Sequence, residues 1–214
     1  MKIIVTGTSN GIGQAIAKLF LEKGHEVIGL DKVKETINHP NYKHFKTEIF
    51  KGELPEIKDC EILINNAGVQ NENDIDVNLK GTMRITEEYA FQAKIKSVLF
   101  IASASAQTGA EFPEYVASKG GMVAYMKNVA MRLATFSATS NSLSPGGVIT
   151  DLNKHILEST ELYEKVLKET LLNRWASAEE IAEWAYFVTV INKSMTAQDI
   201  LIDNGEAAKF NFIW

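Results

Sequence analysis

The chain has 214 residues, of which 45% are hydrophobic and 23% are charged, and its net charge is −5. This length and balance fit one soluble domain and exclude a mainly disordered chain, and the acidic charge balance argues against binding to nucleic acid or to anionic lipid. The single cysteine, Cys60, excludes an intramolecular disulfide and a thiolate-rich metal site, so we expect no bound metal.

Short runs rich in β-branched residues alternate along the chain with longer amphipathic stretches. The runs predict seven strands, at residues 2–5, 26–30, 42–46, 61–65, 97–103, 139–144 and 200–203. Several of them are apolar almost throughout, as expected for strands that are covered on both faces. Apolar residues at helical spacing predict helices from Ile12 to just before Gly24, over 115–135 and over 178–190. The alternation predicts an α/β fold with a doubly wound parallel sheet of Rossmann type, formed by residues 1–214 as a single domain.

The first predicted strand leads directly into a glycine-rich turn with the sequence TGTSNGIG. Glycine lets the backbone approach a pyrophosphate closely, and the N-terminus of the following helix offers free N–H groups to phosphates. The glycine spacing differs from the common G-x-G-x-x-G, and the alternative is that these glycines only form a tight turn between strand and helix. The candidate cofactor-binding residues in this segment are Gly7, Ser9, Asn10, Gly11, Ile12 and Gly13.

Asp31 ends the second predicted strand and follows Gly13 by 18 residues. A carboxylate at this place can accept hydrogen bonds from the ribose hydroxyls of adenosine and would repel a 2′-phosphate. We therefore expect NAD as the cofactor in preference to NADP, although the cation Lys32 follows directly. The alternative is that Asp31 is a solvated residue at the end of a strand.

Tyr115 and Lys119 lie four residues apart in a predicted helix, which places them on one face. Tyr42 and Lys46 have the same spacing in a predicted strand, where four residues span about 13 Å, so we exclude a direct joint action of that pair. Ser103 ends the predicted strand before Tyr115, and the segments 65–68 and 145–150 end the neighbouring strands on the same sheet edge. Ligands of open α/β sheets bind outside that edge, so these groups predict one site.

Taken in order, these motifs resemble the short-chain dehydrogenase/reductase family, in particular its classical type, which includes 3-oxoacyl-acyl-carrier-protein reductases. The resemblance runs from TGTSNGIG through NNAG, DVNLKG, IASAS, YVASK and SPGGVIT to RWASAEEIA and DILIDNG. It implies that Tyr115 is the general acid/base, that Lys119 is its electrostatic partner and a ribose ligand, and that Ser103 polarises the substrate oxygen. Ser105 is a competing serine, but Ser103 fits the strand end of the family better.

The resemblance also assigns roles to residues around these three. Asn78 would hold a helix bend and a water that relays protons, and Thr150 would contact the nicotinamide carboxamide. Further cofactor contacts would come from the ends of two strands, at Asn66, Ala67, Gly68, Pro145, Gly146, Val148 and Thr150, with Tyr115 and Lys119 between them.

The implied activity is hydride transfer between a nicotinamide cofactor and a secondary alcohol or ketone, with a 3-oxoacyl thioester among the candidate substrates. A free tyrosine has a pKa of about 10, so serving as a base near neutral pH requires a shift of about three units. A neighbouring ammonium lowers the pKa of an acid by about one to three units, and an oxidised nicotinamide adds further positive charge.

Two alternative functions are a regulator that binds a dinucleotide without catalysis and a structural subunit without a cofactor. The combination of Asn78, Ser103, Tyr115 and Lys119 argues against the first of these, and the glycine turn argues against the second.

The chain departs from the family pattern in several places. Residues 49–58 are too few, and too rich in proline and charge, to form a full crossover helix. The third strand ends near Thr47 and Glu48 without the Asp-hydrophobic pair that usually contacts adenine in the family, so we expect a more open adenine pocket. The substrate lid of the family falls at residues 151–174, where apolar residues at helical spacing contact either the substrate or each other. Trp175 and Trp184 are expected to fill core or interface space.

The remaining expectations concern assembly and location. The apolar tail 210–214 is expected to be buried against the body or a second subunit, and the family implies a homodimer or homotetramer. The longest apolar stretch, 98–102, is far too short to span a membrane, and the N-terminal residues lack the apolar core of a secretory signal, so we expect no membrane partner and a cytoplasmic protein.

Overall fold

Seven parallel strands form the central sheet in the computed structural model, which describes residues 1–110 and 112–209. The strands are β1 (Lys2–Thr6), β2 (Glu26–Asp31), β3 (Tyr42–Lys46), β4 (Ile62–Asn65), β5 (Ser97–Ile101), β6 (Thr139–Pro145) and β9 (Asp199–Ile202). Their order in the sheet is β3-β2-β1-β4-β5-β6-β9. Two short strands, β7 (Val148–Ile149) and β8 (Ala176–Ser177), pair with each other outside this sheet. The seven predicted strands and the doubly wound fold are confirmed.

The α-helices of the described residues include the three that the apolar periodicity predicts, over residues 12–23, 115–135 and 178–190, together with four others. They are α1 (Gly11–Glu22), α2 (Thr82–Tyr89), α3 (Ser105–Thr108), α4 (Pro113–Leu133), α5 (Lys154–Leu157), α6 (Thr160–Leu167) and α7 (Ala178–Tyr186). A π-helical segment, Ile75–Gly81, runs directly into α2, and a second one, Phe187–Ile191, continues α7. Gly24 ends α1 with a φ of 79°, and the backbone N–H groups of Gly24 and His25 return to the carbonyls of Leu21 and Phe20.

Strong local signals fix two of the helix starts. Pro113 opens α4, a position where the missing N–H of proline costs nothing. Ser177 and Glu180 form a capping box at the start of α7, and Arg174 holds both carboxylate oxygens of Glu180 at 2.7 Å. The hydrogen bonds from Arg174 are the main reason why the pKa of Glu180 falls to about 2.

One predicted strand boundary changes for an identifiable reason, and the predicted lack of a full helix after β3 is seen in the structure. The fifth strand was expected to reach Ser103, but β5 ends at Ile101. The N–H groups of Ala102 and Ala104 still bond to the carbonyls of Leu143 and Pro145, so the chain follows β6 for a few residues before it turns into α3. Residues 47–61, all of which are described, form no helix, which confirms that the stretch 49–58 is too short for one.

The apolar core lies in two layers, one on each face of the sheet. One layer packs α1 and α7 against side chains such as Ile3, Val5 and Val27, and the other packs α2 and α4 against Ile4, Leu63 and similar residues. This arrangement explains why the central strands are apolar on both faces. Among the described residues, none of the helices combines the length and the hydrophobicity that a membrane crossing requires.

Candidate active site

The cleft lies at the carboxyl edge of the sheet, where the strand order reverses between β1 and β4. In open α/β sheets this is the place where ligands bind. The cleft has a volume of about 1240 Å³, and its lining comes from the glycine turn after β1, the ends of the five strands β2 to β6 and the segment 151–174. The sites predicted from separate parts of the sequence therefore share one cavity.

Some residues of the glycine turn line the cleft, and others pack against the protein behind it. Gly7 and Gly11 have φ angles of 75° and 53°, in the left-handed region that favours glycine. Both line the cleft, as do Asn10 and Ile12. Gly13 lies behind the cleft wall, where a Cβ would overlap the carbonyl of Gly7 and the side-chain amide of Asn66. Its absent side chain lets α1 begin close to β1, so Gly13 shapes the turn from behind.

A pair of polar side chains joins the ends of β1 and β4 at the floor of the cleft. Thr6 Oγ1 accepts hydrogen bonds from the backbone N–H groups of Asn66 and Ala67, both at 2.9 Å. Asn66 Nδ2 donates in return to the carbonyl of Thr6 at 2.9 Å. These bonds fix the loop that carries the predicted contacts Asn66, Ala67 and Gly68, all of which line the cleft.

Asp31 lies at the end of the cleft nearest the glycine turn. The backbone N–H of Ser9 donates to its Oδ2, and that of Val33 donates to its Oδ1, both at 2.9 Å. Each carboxylate oxygen keeps further acceptor capacity, and Asp31 lines the cleft together with Lys32 and Val33. Ser9 itself is buried and does not line the cleft, so the structure gives it the role of holding Asp31 in place.

The residues that follow β3 form the opposite wall of this end. Thr47, Glu48, Ile49 and Phe50 all line the cleft. Thr47 donates its hydroxyl to the carbonyl of Glu53 at 2.7 Å, which closes the turn. Thr47 and Glu48 form the strand end that departs from the family pattern, whereas no sequence motif points to Ile49 and Phe50 as lining residues.

Ser103, Tyr115 and Lys119 lie together on the wall formed by β5 and α4. Tyr115 and Lys119 are 9% and 4% exposed, and Lys119 Nζ lies 5.6 Å from the centre of the Tyr115 ring. The ammonium also donates to the carbonyl of Ile101 at 2.9 Å. All three predicted residues line the cleft, although they come from two different elements.

Ser105, which the sequence analysis treated as a competitor of Ser103, supports it instead. Its Oγ–H and its backbone N–H both donate to Ser103 Oγ, at 2.8 and 3.2 Å. Because Ser103 Oγ accepts these two bonds, its own hydroxyl hydrogen is left to be donated elsewhere. The two serines therefore form a pair in which only Ser103 takes the position next to β5.

Asn78 lies in the π-helical segment before α2 and is fully buried. Its side chain accepts from the N–H of Val69 at 2.8 Å and donates to the carbonyl of Val69 at 2.9 Å, and it also donates to Ser118 Oγ at 3.1 Å. Its segment is π-helical, and Asn78 ties the loop after β4 to the helix that carries Tyr115 and Lys119. It does not itself line the cleft, and its contact with a water stays a prediction.

The far end of the cleft is formed by the loop after β6 and by the segment 151–174. The predicted contacts Pro145, Gly146, Val148 and Thr150 line it. Glu206 lies close to Gly146, and its pKa is raised by burial and by the neighbouring carboxylates of Asp203 and Glu169. The sequence analysis did not identify Glu206 as a residue of the cleft.

The segment 151–174 contains the two short helices α5 and α6, as its apolar spacing suggests. Leu152, Ile156 and Val166 line the cleft. Trp175 is buried, as expected, but it also lines the cleft, where it packs against Gly147 and meets Tyr163 edge to face at 5.7 Å.

Two further expectations have different outcomes. Trp184 was expected to fill core or interface space; it is 42% exposed and contacts Phe187 on the surface of the described chain, which excludes a place in the core and leaves the interface as a prediction. The expected burial of the tail 210–214 concerns residues that lie outside the described part of the structure.

Comparison with known proteins gives one consistent family. A family model described as enoyl-(acyl carrier protein) reductase matches residues 47–206. The chain is 30% identical to a 3-oxoacyl-[acyl-carrier-protein] reductase of Chlamydia pneumoniae, an alignment that covers 95% of the chain and 96% of the relative. It is 28% identical to an L-rhamnose 1-dehydrogenase (NADP(+)) of Thermoplasma acidophilum, with 94% of each covered.

Solved structures give the same result. A 4-hydroxyisoleucine dehydrogenase mutant complexed with NADH and succinate superposes with a TM-score of 0.88 at 26% identity, covering 99% of the chain and 100% of that structure. A short chain dehydrogenase family protein from Francisella tularensis subsp. tularensis SCHU S4 has a TM-score of 0.84 at 27% identity, with 97% and 99% covered.

Proposed function

The chain belongs to the short-chain dehydrogenase/reductase family, and on this basis we propose that it is a nicotinamide-dependent oxidoreductase that interconverts a secondary alcohol and a ketone. The observation that supports this most strongly is the grouping of Ser103, Tyr115 and Lys119 on one wall of the cleft, beyond the glycine turn. A protein that only bound a dinucleotide would have no use for Ser103 and its supporting partner Ser105, so the regulatory alternative is not favoured.

The polar groups along the cleft fit a dinucleotide. The turn at Gly7 and Gly11 and the N-terminus of α1 present backbone N–H groups to a pyrophosphate, and Asp31 offers acceptors to a ribose. Lys119 would hydrogen-bond the second ribose, and Thr150 would meet the carboxamide of the nicotinamide. When bound, the cofactor supplies or accepts the hydride.

Each residue beside the reacting carbon has a defined task. In reduction, the Tyr115 hydroxyl donates its proton to the ketone oxygen, and in oxidation the phenolate removes it. The Ser103 hydroxyl donates to the same oxygen, since its acceptor side is already taken by Ser105. The Lys119 ammonium stabilises the phenolate through its charge. Behind the lining of the cleft, Asn78 joins α4 to the loop after β4, and we propose that it also holds a water that relays protons.

Within this reaction class we propose a 3-oxoacyl thioester as the first substrate to test. The relative from Chlamydia pneumoniae is named for this reaction, and Leu152, Ile156 and Val166 give the lid segment 151–174 an apolar surface toward the cleft. Sugars, polyols and small hydroxy acids are the other classes that belong in the same substrate panel.

Turnover of this panel with NADH and NADPH tests the proposed function. We expect at least one ketone to be reduced and at least one dinucleotide to raise the melting temperature. Protection against thermal unfolding without turnover of any substrate would support the regulatory alternative. Absence of both effects would contradict dinucleotide binding altogether.

We propose NAD as the preferred cofactor, because the Asp31 carboxylate would repel a 2′-phosphate. Both cofactors occur among the relatives, since one is named for NADP(+) and another was solved with NADH. Asp31→Asn removes the charge and keeps the shape, so we expect the ratio of kcat/KM for NADH to that for NADPH to fall by about tenfold. Asp59→Asn, which changes an exposed carboxylate paired with Lys94, is the control and should leave the ratio unchanged. A wild-type preference for NADPH would refute the proposal.

We also propose that the chain forms a homodimer or a homotetramer. Exposed apolar side chains support this, and they include Met83 on α2, Met131 on α4, Trp184 on α7 and Phe187 directly after that helix. Light scattering at micromolar concentration should give a mass of two or four chains, and a clean monomer would contradict the proposal.

A further inference from the structure

Tyr42, which the sequence analysis set aside, makes a contact with the glycine turn. Its hydroxyl lies 2.8 Å from Thr8 Oγ1. Thr8 belongs to the turn but does not line the cleft, and it is fully buried. Tyr42 comes from β3, which lies at the edge of the sheet and is separated from β1 by β2. The side chain must therefore cross a whole strand to reach the turn.

Gly29 on β2 makes this crossing possible. A Cβ at this position would overlap both the Tyr42 hydroxyl and Thr8 Oγ1. In the sheet register, Tyr42 pairs with Val27, and Gly29 is the next residue on the same face of β2. The hydroxyl pair occupies the space that any other residue at position 29 would fill, so Gly29, Tyr42 and Thr8 form one packing unit.

The contact continues to the ribose end of the cleft. The Tyr42 hydroxyl lies 3.0 Å from His44 Nδ1, and His44 Nε2 lies 2.9 Å from the carbonyl of Val33. Val33 follows Asp31 closely and lines the cleft. One chain of hydrogen bonds therefore connects the two segments that flank the adenosine half of the site. Burial raises the pKa of Tyr42, which keeps its hydroxyl protonated and able to donate.

We propose that Tyr42 is a positioning residue for the cofactor site: through Thr8 it holds the glycine turn in the geometry that receives the dinucleotide. This inference rests on the proposed dinucleotide binding. Without the Tyr42 hydroxyl, Thr8 Oγ1 loses its partner in a buried place, and the turn gains freedom that binding must remove again. Tyr115 and Lys119 line the cleft, whereas Tyr42 and Thr8 do not, so we expect the chemical step to be unaffected.

The first test is Tyr42→Phe, which removes one oxygen and keeps the ring. We expect the Kd and KM for the preferred dinucleotide to rise by about fivefold to tenfold, while kcat at saturating dinucleotide stays unchanged. Tyr89→Phe is the matched control, because the Tyr89 hydroxyl donates to the carbonyl of Pro55 at 2.7 Å and packs in the layer on the other face of the sheet. It should leave both Kd and kcat at the wild-type values. Equal Kd values for wild type and Tyr42→Phe would overturn the proposal, as would equal losses of affinity in both variants.

A second pair of variants tests the same contact from Thr8 and does not depend on the folding of Tyr42→Phe. Thr8→Val removes the hydroxyl and should raise Kd as Tyr42→Phe does, whereas Thr8→Ser keeps the hydroxyl and should bind like the wild type. Combining Thr8→Val with Tyr42→Phe should add little to either single change, because both remove one interaction. Fully additive effects would overturn the proposal. A wild-type protein that binds neither NADH nor NADPH would instead refute the proposed function, so the two failures are distinguishable.

Discussion

Tyr115→Phe is expected to lower kcat for ketone reduction by about 10³-fold and to leave the Kd of the dinucleotide within about twofold of wild type. The variant removes the group that exchanges a proton with the substrate oxygen. It keeps the ring, whose centre lies 5.6 Å from Lys119 Nζ, so the ammonium and its bond to the Ile101 carbonyl stay in place. Single-turnover reduction and a fluorescence titration with NADH measure the two quantities separately.

Tyr125→Phe is the control for this experiment. Tyr125 lies on the same helix, α4, and its hydroxyl donates to Glu87 at 2.7 Å, away from the cleft. Its loss should leave kcat and Kd unchanged. A Tyr115→Phe enzyme with wild-type turnover would show that another group supplies the proton, and the assignment of the catalytic residues would be wrong.

The sheet was predictable because its strands carry their own signals. The predicted runs, several of them apolar and β-branched, are long enough for a strand and too short for a helix, and all seven lie in the sheet. The boundary of β5 was less predictable, because the residues after Ile101 keep bonding to β6 without being part of the regular ladder. The glycine turn was also predictable, because the backbone at positions 7 and 11 has left-handed φ angles that favour glycine, and the sequence has glycine at both positions.

The parts of the site that sequence reasoning missed depend on tertiary contacts. Ser105 supports Ser103 through the orientation of two hydroxyls, which a spacing of two residues does not reveal. Tyr42 meets Thr8 across 34 residues of sequence and only because position 29 is a glycine. The spacing of four residues relates Tyr42 to Lys46 in the sequence, whereas the partner of Tyr42 in the structure is Thr8 of the glycine turn.

Asn78, Ser9 and Gly13 show a related limit. All three were expected at the site, and the structure places them behind the lining, where they hold Val69, Asp31 and the start of α1. A motif identifies residues that the site requires but does not distinguish those that touch a ligand from those that shape its surroundings. Burial makes this distinction, and burial is decided by the packing of distant elements.

Lys119→Met is expected to impair both chemistry and binding, in contrast to Tyr115→Phe. We expect kcat to fall by about 10²-fold and the Kd of the dinucleotide to rise by about tenfold, because one ammonium serves the phenolate and the ribose. Methionine has a similar length and suits a position that is 4% exposed, so the fold should tolerate it.

Combining Lys119→Met with Tyr115→Phe should lower kcat little beyond Tyr115→Phe alone, because a lysine that acts through the phenolate has no phenolate to stabilise in that variant. Lys127→Met, at an exposed position of the same helix, should change neither quantity. If the Kd of Lys119→Met is unchanged, Lys119 does not contact the ribose. If the losses of kcat in the two single variants multiply in the double variant, the lysine acts on the substrate independently of the tyrosine.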